Sequence, residues 1–254
     1  MHRRPRAYLI FPLAAALLAT WVPAAGASHS WGGYHWARKT TTFTLKLGDN
    51  ASSAWDASLV TASADWTTST VVDTTVVAGM SSVRRCPPTT GRVEVCNKAY
   101  GANGWLGLGQ IYLQGTHVTA GTVKLNDTYF ATAAYNTPAW RNLVMCQEIG
   151  HTLGLDHQDE NNYNPPLGSC MDYSSDPVPN QHPNDHDFAQ LAQIYAHLDT
   201  TTTVAGAAQA GAAAPSMAEA QWGRAERRDR AGRPSRFVND LGGGRSVVTF
   251  VIWA

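Results

Sequence analysis

The sequence predicts a mixed α/β fold, and three observations carry that reading. Strand-like and helix-like segments alternate between residues 43 and 77, and helical patterns dominate after residue 137. The 254 residues are 44% hydrophobic and only 15% charged, which is apolar mass enough for a real core. The length admits one sizeable domain with accessories, or at most two small domains.

Each element has its own signal. Residues 43–47 (Phe-Thr-Leu-Lys-Leu) alternate with period two, as a half-buried strand does. Asn50 or Ser52 can cap a helix whose Trp55, Leu59, Ala62 and Trp66 fall on one face. Residues 71–77 are β-branched and read as a second strand. Residues 108–113 and 118–125 read as further strands joined at Gln114-Gly115-Thr116. Thr137-Pro138 is a helix start, with threonine at the cap and proline at the first helical position, and Gly154 is the stop. A last helix fits residues 185–198, with Phe188, Leu191, Tyr195 and Leu198 on one face.

The ends of the chain differ from its middle. Residues 1–27 read as a signal peptide: Arg3, Arg4 and Arg6 precede an apolar run, and Ala25-Gly26-Ala27 gives a small-x-small cleavage site. That run holds about 16 residues and contains Pro12, short of the roughly 20 a spanning helix needs. The expectation is a secreted chain cut after Ala27, with no membrane contact in its mature form. Residues 28–199 form the main domain. Residues 200–217 are a low-complexity linker rich in threonine and alanine, and residues 218–254 a tail with a hairpin around Gly242-Gly243-Gly244. Lys+Arg and Asp+Glu are both 19, which excludes a basic footprint for nucleic acid. The balance conceals an acidic main domain and a tail with seven arginines, whose stretch from Arg224 to Arg236 reads as solvated.

The four cysteines, Cys86, Cys96, Cys146 and Cys170, are an even set in an exported chain and allow three pairings. The ten-residue spacing of Cys86 and Cys96 encloses Pro87, Pro88 and Gly91, which suits a local bridge and leaves Cys146 to pair with Cys170.

The informative stretch is Gln147-Glu148-Ile149-Gly150-His151-Thr152-Leu153-Gly154-Leu155-Asp156-His157. On a helix Gln147 and His151 share a face with Glu148 beside them, and a turn at Gly154 can bring His157 back towards the same point. Three donors converging beside a carboxylate suit zinc and the hydrolysis of a bond by water. Here the chain resembles the metzincin metalloproteases, whose motif H-E-x-x-H-x-x-G-x-x-H is followed by a methionine-containing turn. Glu148, His151, Gly154 and His157 match the motif, and Cys170-Met171-Asp172-Tyr173 looks like the Met-turn. Residues 104–110 are similar to the strand along which the substrate of these enzymes lies.

The resemblance implies a metzincin-like catalytic domain of matrixin or snapalysin type, with a twisted mixed sheet, an active-site helix and a C-terminal helix. It implies a zinc ion on Gln147, His151 and His157, Glu148 as general base, Met171 beneath the metal and Tyr173 near it. The expected partner is a protein or peptide substrate, and the expected state a monomer. The chain departs from the motif at Gln147, a neutral oxygen donor where the family has histidine. His182 and His186 are the candidates for a replacement nitrogen. The Cys146–Cys170 bridge would staple the two pieces that build the site. Asp156, Asp159, Glu160 and Asp172 form an acidic set that could hold calcium, whereas His35 and His117 read as isolated, ordinary histidines. Two functions compete: a secreted zinc endopeptidase, favoured by Glu148, and a pseudoprotease used as a binding module, favoured by Gln147.

Overall fold

The computed structural model describes residues 29–30, 32–205 and 221–254. The signal peptide with its cleavage site, and most of the linker, lie outside the described residues. The described chain is a mixed sheet of nine strands with four α-helices. β2 (Phe43–Asn50), β3 (Val72–Ala78), β4 (Val93–Lys98) and β6 (His117–Asn126) are parallel neighbours, and β5 (Trp105–Gln114) turns back antiparallel beside β6. A short β1 (His35–Trp36) pairs with the start of β6.

α1 (Asp56–Trp66), α2 (Asp127–Phe130), α3 (Pro138–Thr152) and α4 (Asp185–Ile194) complete the chain up to the linker. Thr137 caps α3 by accepting from the Trp140 N–H, with Pro138 at the first position, as the sequence requires. From Leu143 to Thr152 every residue of α3 is buried. The indoles of Trp36, Trp55 and Trp66 are fully buried, and each N–H has a partner: the carbonyls of Thr152 and Cys146 for Trp36 and Trp66, and the Asp127 carboxylate for Trp55. Two of the three thus brace α3, at which a tryptophan-to-alanine change costs about 3–5 kcal/mol.

Some elements differ from the sequence reading. Neither Asn50 nor Ser52 caps α1. Trp55 occupies that position without a side-chain bond, because Asn50 is drawn to Glu94 and Ser81. α4 stops at Ile194, where buried Tyr195 leaves the helix so that its hydroxyl reaches the Leu153 carbonyl, and Leu198 is exposed. The expected hairpin is present as β8 (Pro234–Gly242) and β9 (Arg245–Trp253), but it is neither small nor separate. β7 (Arg224–Arg228) adds a third strand, and β9 pairs antiparallel with β5 from end to end. The tail therefore finishes the central sheet.

Disulfides join Cys86 to Cys96 and Cys146 to Cys170, the expected pairs. Among the described residues no helix is long and apolar enough to cross a membrane. Two disulfides fit an extracellular protein.

Candidate metal centre

Helix α3 and the turn after it build the site. Gly154 breaks the helix with φ +102°, and a Cβ there would overlap the Tyr34 carbonyl, so glycine alone permits the bend. The bend returns His157 to His151, whose Nε2 atoms lie 3.0 Å apart. Each ring is oriented from its other nitrogen. His151 Nδ1 donates to the Leu155 carbonyl at 2.9 Å, and His157 Nδ1 donates to Glu160 Oε1 at 2.8 Å. Both rings then turn Nε2 towards the same point. At that distance a proton or a metal cation joins the two nitrogens, and anchoring the far nitrogen is how ligating histidines are held. Burial, reinforced by His157, pushes His151 well below the usual histidine range, so the ring stays in the neutral form that metals bind.

Gln147 is fully buried. Its Nε2 donates to the Cys170 carbonyl at 2.9 Å, and its Oε1 has no hydrogen-bond partner. An oxygen buried without a partner costs about 1–3 kcal/mol, which a cation would relieve. Glu148 is also fully buried, packed against β5, where a Cβ on Gly107 would come within 2.7 Å of Glu148 Oε1. Burial drives its carboxyl well above the ordinary range, and the Gly109 N–H offsets only part of that. Two imidazole nitrogens and one orphaned amide oxygen are donor types that zinc accepts. Asp156, His157 and Glu160 also form one group whose ligand atoms approach one another closely.

Met171 joins this centre through the backbone, its carbonyl accepting from Gln158 N at 2.7 Å, directly after His157. The Tyr173 ring lies 4.4 Å from that of His157. The Cys146–Cys170 bridge flanks both Gln147 and Met171. His182 and His186 have other partners: exposed His182 bonds Asp65, and His186 meets Gln158 and stacks on His29. Asp159 and Asp172 of the acidic set meet main-chain N–H groups and the amides of Asn164 and Asn180.

The tail covers the centre, which its arginine count alone did not reveal. Phe250 of β9 stacks on the His151 ring, and Tyr173 Oη donates to the Val251 carbonyl at 2.7 Å. Arg227 reaches Asp156 and Glu160 at 2.7 and 2.9 Å, and Arg236 reaches Asp156 at 2.8 Å. The arginine stretch is thus not simply solvated: its charges dock on the acids beside His157. β5, the strand expected to receive a substrate, has β9 on the edge away from β6.

No protein-family model matches the chain, and no curated protein matches it in sequence. Among solved structures it is similar to high choriolytic enzyme 1, a hatching enzyme zinc-protease from Oryzias latipes (medaka fish). The identity is 15% and the TM-score 0.35, over 65% of this chain and 96% of that one. A likeness that distant leaves the centre to be interpreted from its own geometry.

Proposed function

We propose that this chain is a secreted zinc-dependent endopeptidase of metzincin type whose own C-terminal strand covers the active site. The observation that carries this reading is the pair of Nε2 atoms of His151 and His157, 3.0 Å apart with both Nδ1 atoms committed as donors. His151, His157 and the Gln147 oxygen would hold the metal. A zinc ion supplies Lewis acidity, lowering the pKa of water and polarising a peptide carbonyl.

The chain's own residues supply the rest. Glu148, kept out of water and with its proton affinity raised, takes a proton from the attacking water and returns it to the leaving amine. Gly107 and Gly109 leave room for the carboxylate beside β5. Hydrolysis of another chain requires β9 to leave the edge of β5, since Phe250 and Val251 fill the space over His151 and Tyr173.

The covering strand also favours a second reading, a binding module that never hydrolyses. Peptide hydrolysis after release of the tail separates the two. The released wild type should cleave casein, and Glu148→Gln should lower that rate by about 10²-fold or more with zinc content unchanged. A folded, zinc-loaded, tail-released protein with no activity would leave the binding module standing.

A further inference from the structure

A second convergence of imidazoles lies where three distant parts of the chain meet. His35 of β1 is the register partner of His117, the first residue of β6, and the chain leaving α4 brings His197 and Asp199 beside them. His35 Nδ1 donates to the Gly33 carbonyl at 2.7 Å, which turns its Nε2 towards the other side chains. That Nε2 lies 3.2 Å from His197 Nε2 and 3.4 Å from Asp199 Oδ1. His117 Nε2 lies 3.2 Å from the same oxygen, and His197 Nε2 3.8 Å from it. The His35 ring is nearly perpendicular to both other imidazoles, at 89° and 84°.

Asp199 is held for this task by the backbone. Its N–H donates to the Arg38 carbonyl at 2.8 Å, and its Oδ2 accepts from the Arg38 N–H at 2.9 Å, which leaves Oδ1 for the histidines. With bonds of about 2.0–2.1 Å, a tetrahedral zinc spaces its ligand atoms about 3.3 Å apart. Four of the six pairs of these atoms lie 3.2 to 3.8 Å apart. Three imidazoles and one carboxylate are a zinc donor set, and four protein ligands leave no open position for a reacting water.

We propose that His35, His117, His197 and Asp199 bind a structural zinc ion, separate from the cation of His151 and His157. The ion fastens β1, the turn between β5 and β6, and the chain after α4 to one another. It also sits where the chain departs for the tail, since Thr203 N donates to the Ala37 carbonyl at 3.0 Å just beyond it. The site does not depend on the peptidase reading, because none of its ligands belongs to the first centre.

Zinc stoichiometry of the full mature chain after dialysis against zinc tests this. Two zinc ions per chain are expected. His197→Ala and His117→Ala should each hold one fewer, His157→Ala one fewer, and His157→Ala with His197→Ala none. The His197 side chain is 53% exposed, so its removal leaves no buried hole. In the His157→Ala background, added zinc should raise the melting temperature, and His197→Ala should abolish that rise. A single zinc lost in His197→Ala but kept in His157→Ala supports this site and counts against the first. The proposal is overturned if the wild type binds no zinc, or if both His197→Ala and His117→Ala keep the wild-type stoichiometry.

Discussion

The Phe250 ring lies flat on the His151 ring, with centroids 4.0 Å apart and planes within 5°. One aromatic contact thus joins the last strand of the chain to the centre of the motif. Phe250 is fully buried, and His157 lies at right angles to both rings. Release of β9 should therefore control access to the centre. With a specific protease site inserted between residues 206 and 220, cleavage followed by mild denaturant should raise hydrolysis of a short peptide. A synthetic peptide of residues 221–254 should reverse the gain. If activity is the same before cleavage, after it, and with the peptide added, β9 does not block the site.

Gln147→His supplies the nitrogen that the motif lacks. Imidazole is the better zinc donor, so the variant should bind zinc at least about tenfold more tightly, roughly 1.4 kcal/mol. Competition with a chelator of known affinity, read in a His197→Ala background, measures the first centre alone. An unchanged dissociation constant would mean that the Gln147 oxygen is not a ligand.

The Cys146–Cys170 bridge closes a loop with a sequence separation of 24 residues. Loop-closure entropy assigns it about 3.5 kcal/mol. Replacing both cysteines by serine should lower stability by that order. It should also weaken zinc binding at the first centre, because Gln147 and the Cys170 carbonyl it bonds would no longer be stapled together. Equal affinity in the variant would confine the bridge to fold stability.

Asp172 gives a pH dependence with a definite sign. Burial pushes its carboxyl above the usual range, and the Leu167 N–H and Asn180 amide offset only part of that. A raised carboxylate value means that the favoured neutral form is complete below the unfolded value of about 3.9, and its stabilisation is lost as pH rises through the folded value. Asp172→Asn keeps an oxygen for both donors without the charge, so it should melt above wild type at pH 7. The gap should close on acidification below about pH 3.9. A gap independent of pH would rule out this ionisation as its cause.

The first centre was legible because its spacing is local. Gln147, Glu148 and His151 lie on one helix and Gly154 turns the chain, so periodicity alone brings His157 back. The strand from 43 to 47 was legible by alternation, and those at 108–113 and 118–125 by their flanking of the turn at Gln114-Gly115-Thr116. β4 was missed, since Val93-Glu94-Val95-Cys96-Asn97-Lys98 carries a buried Glu94 neutralised by Arg92, a pairing the pattern does not announce. The cluster of His35, His117, His197 and Asp199 could not be read at all. Its members are scattered along the chain, and only the register of β1 on β6 and the path after α4 bring them together. Glu160 was read as a possible calcium ligand, whereas its position three residues after His157 is the signal that it orients that ring.

Making the C-terminus the partner of β5 also sets an order of events. Gln110 on β5 bonds Thr249 on β9 across 139 residues of sequence. Until those last residues have been synthesised and have arrived, the edge of β5 is an open row of backbone donors and acceptors in a folding intermediate, the kind of surface that recruits strands from other chains. A chain ending before residue 245 would keep that edge permanently. The same slot could then accept β9 from a second, intact copy, so truncated and full-length chains made together would be prone to exchange strands and aggregate.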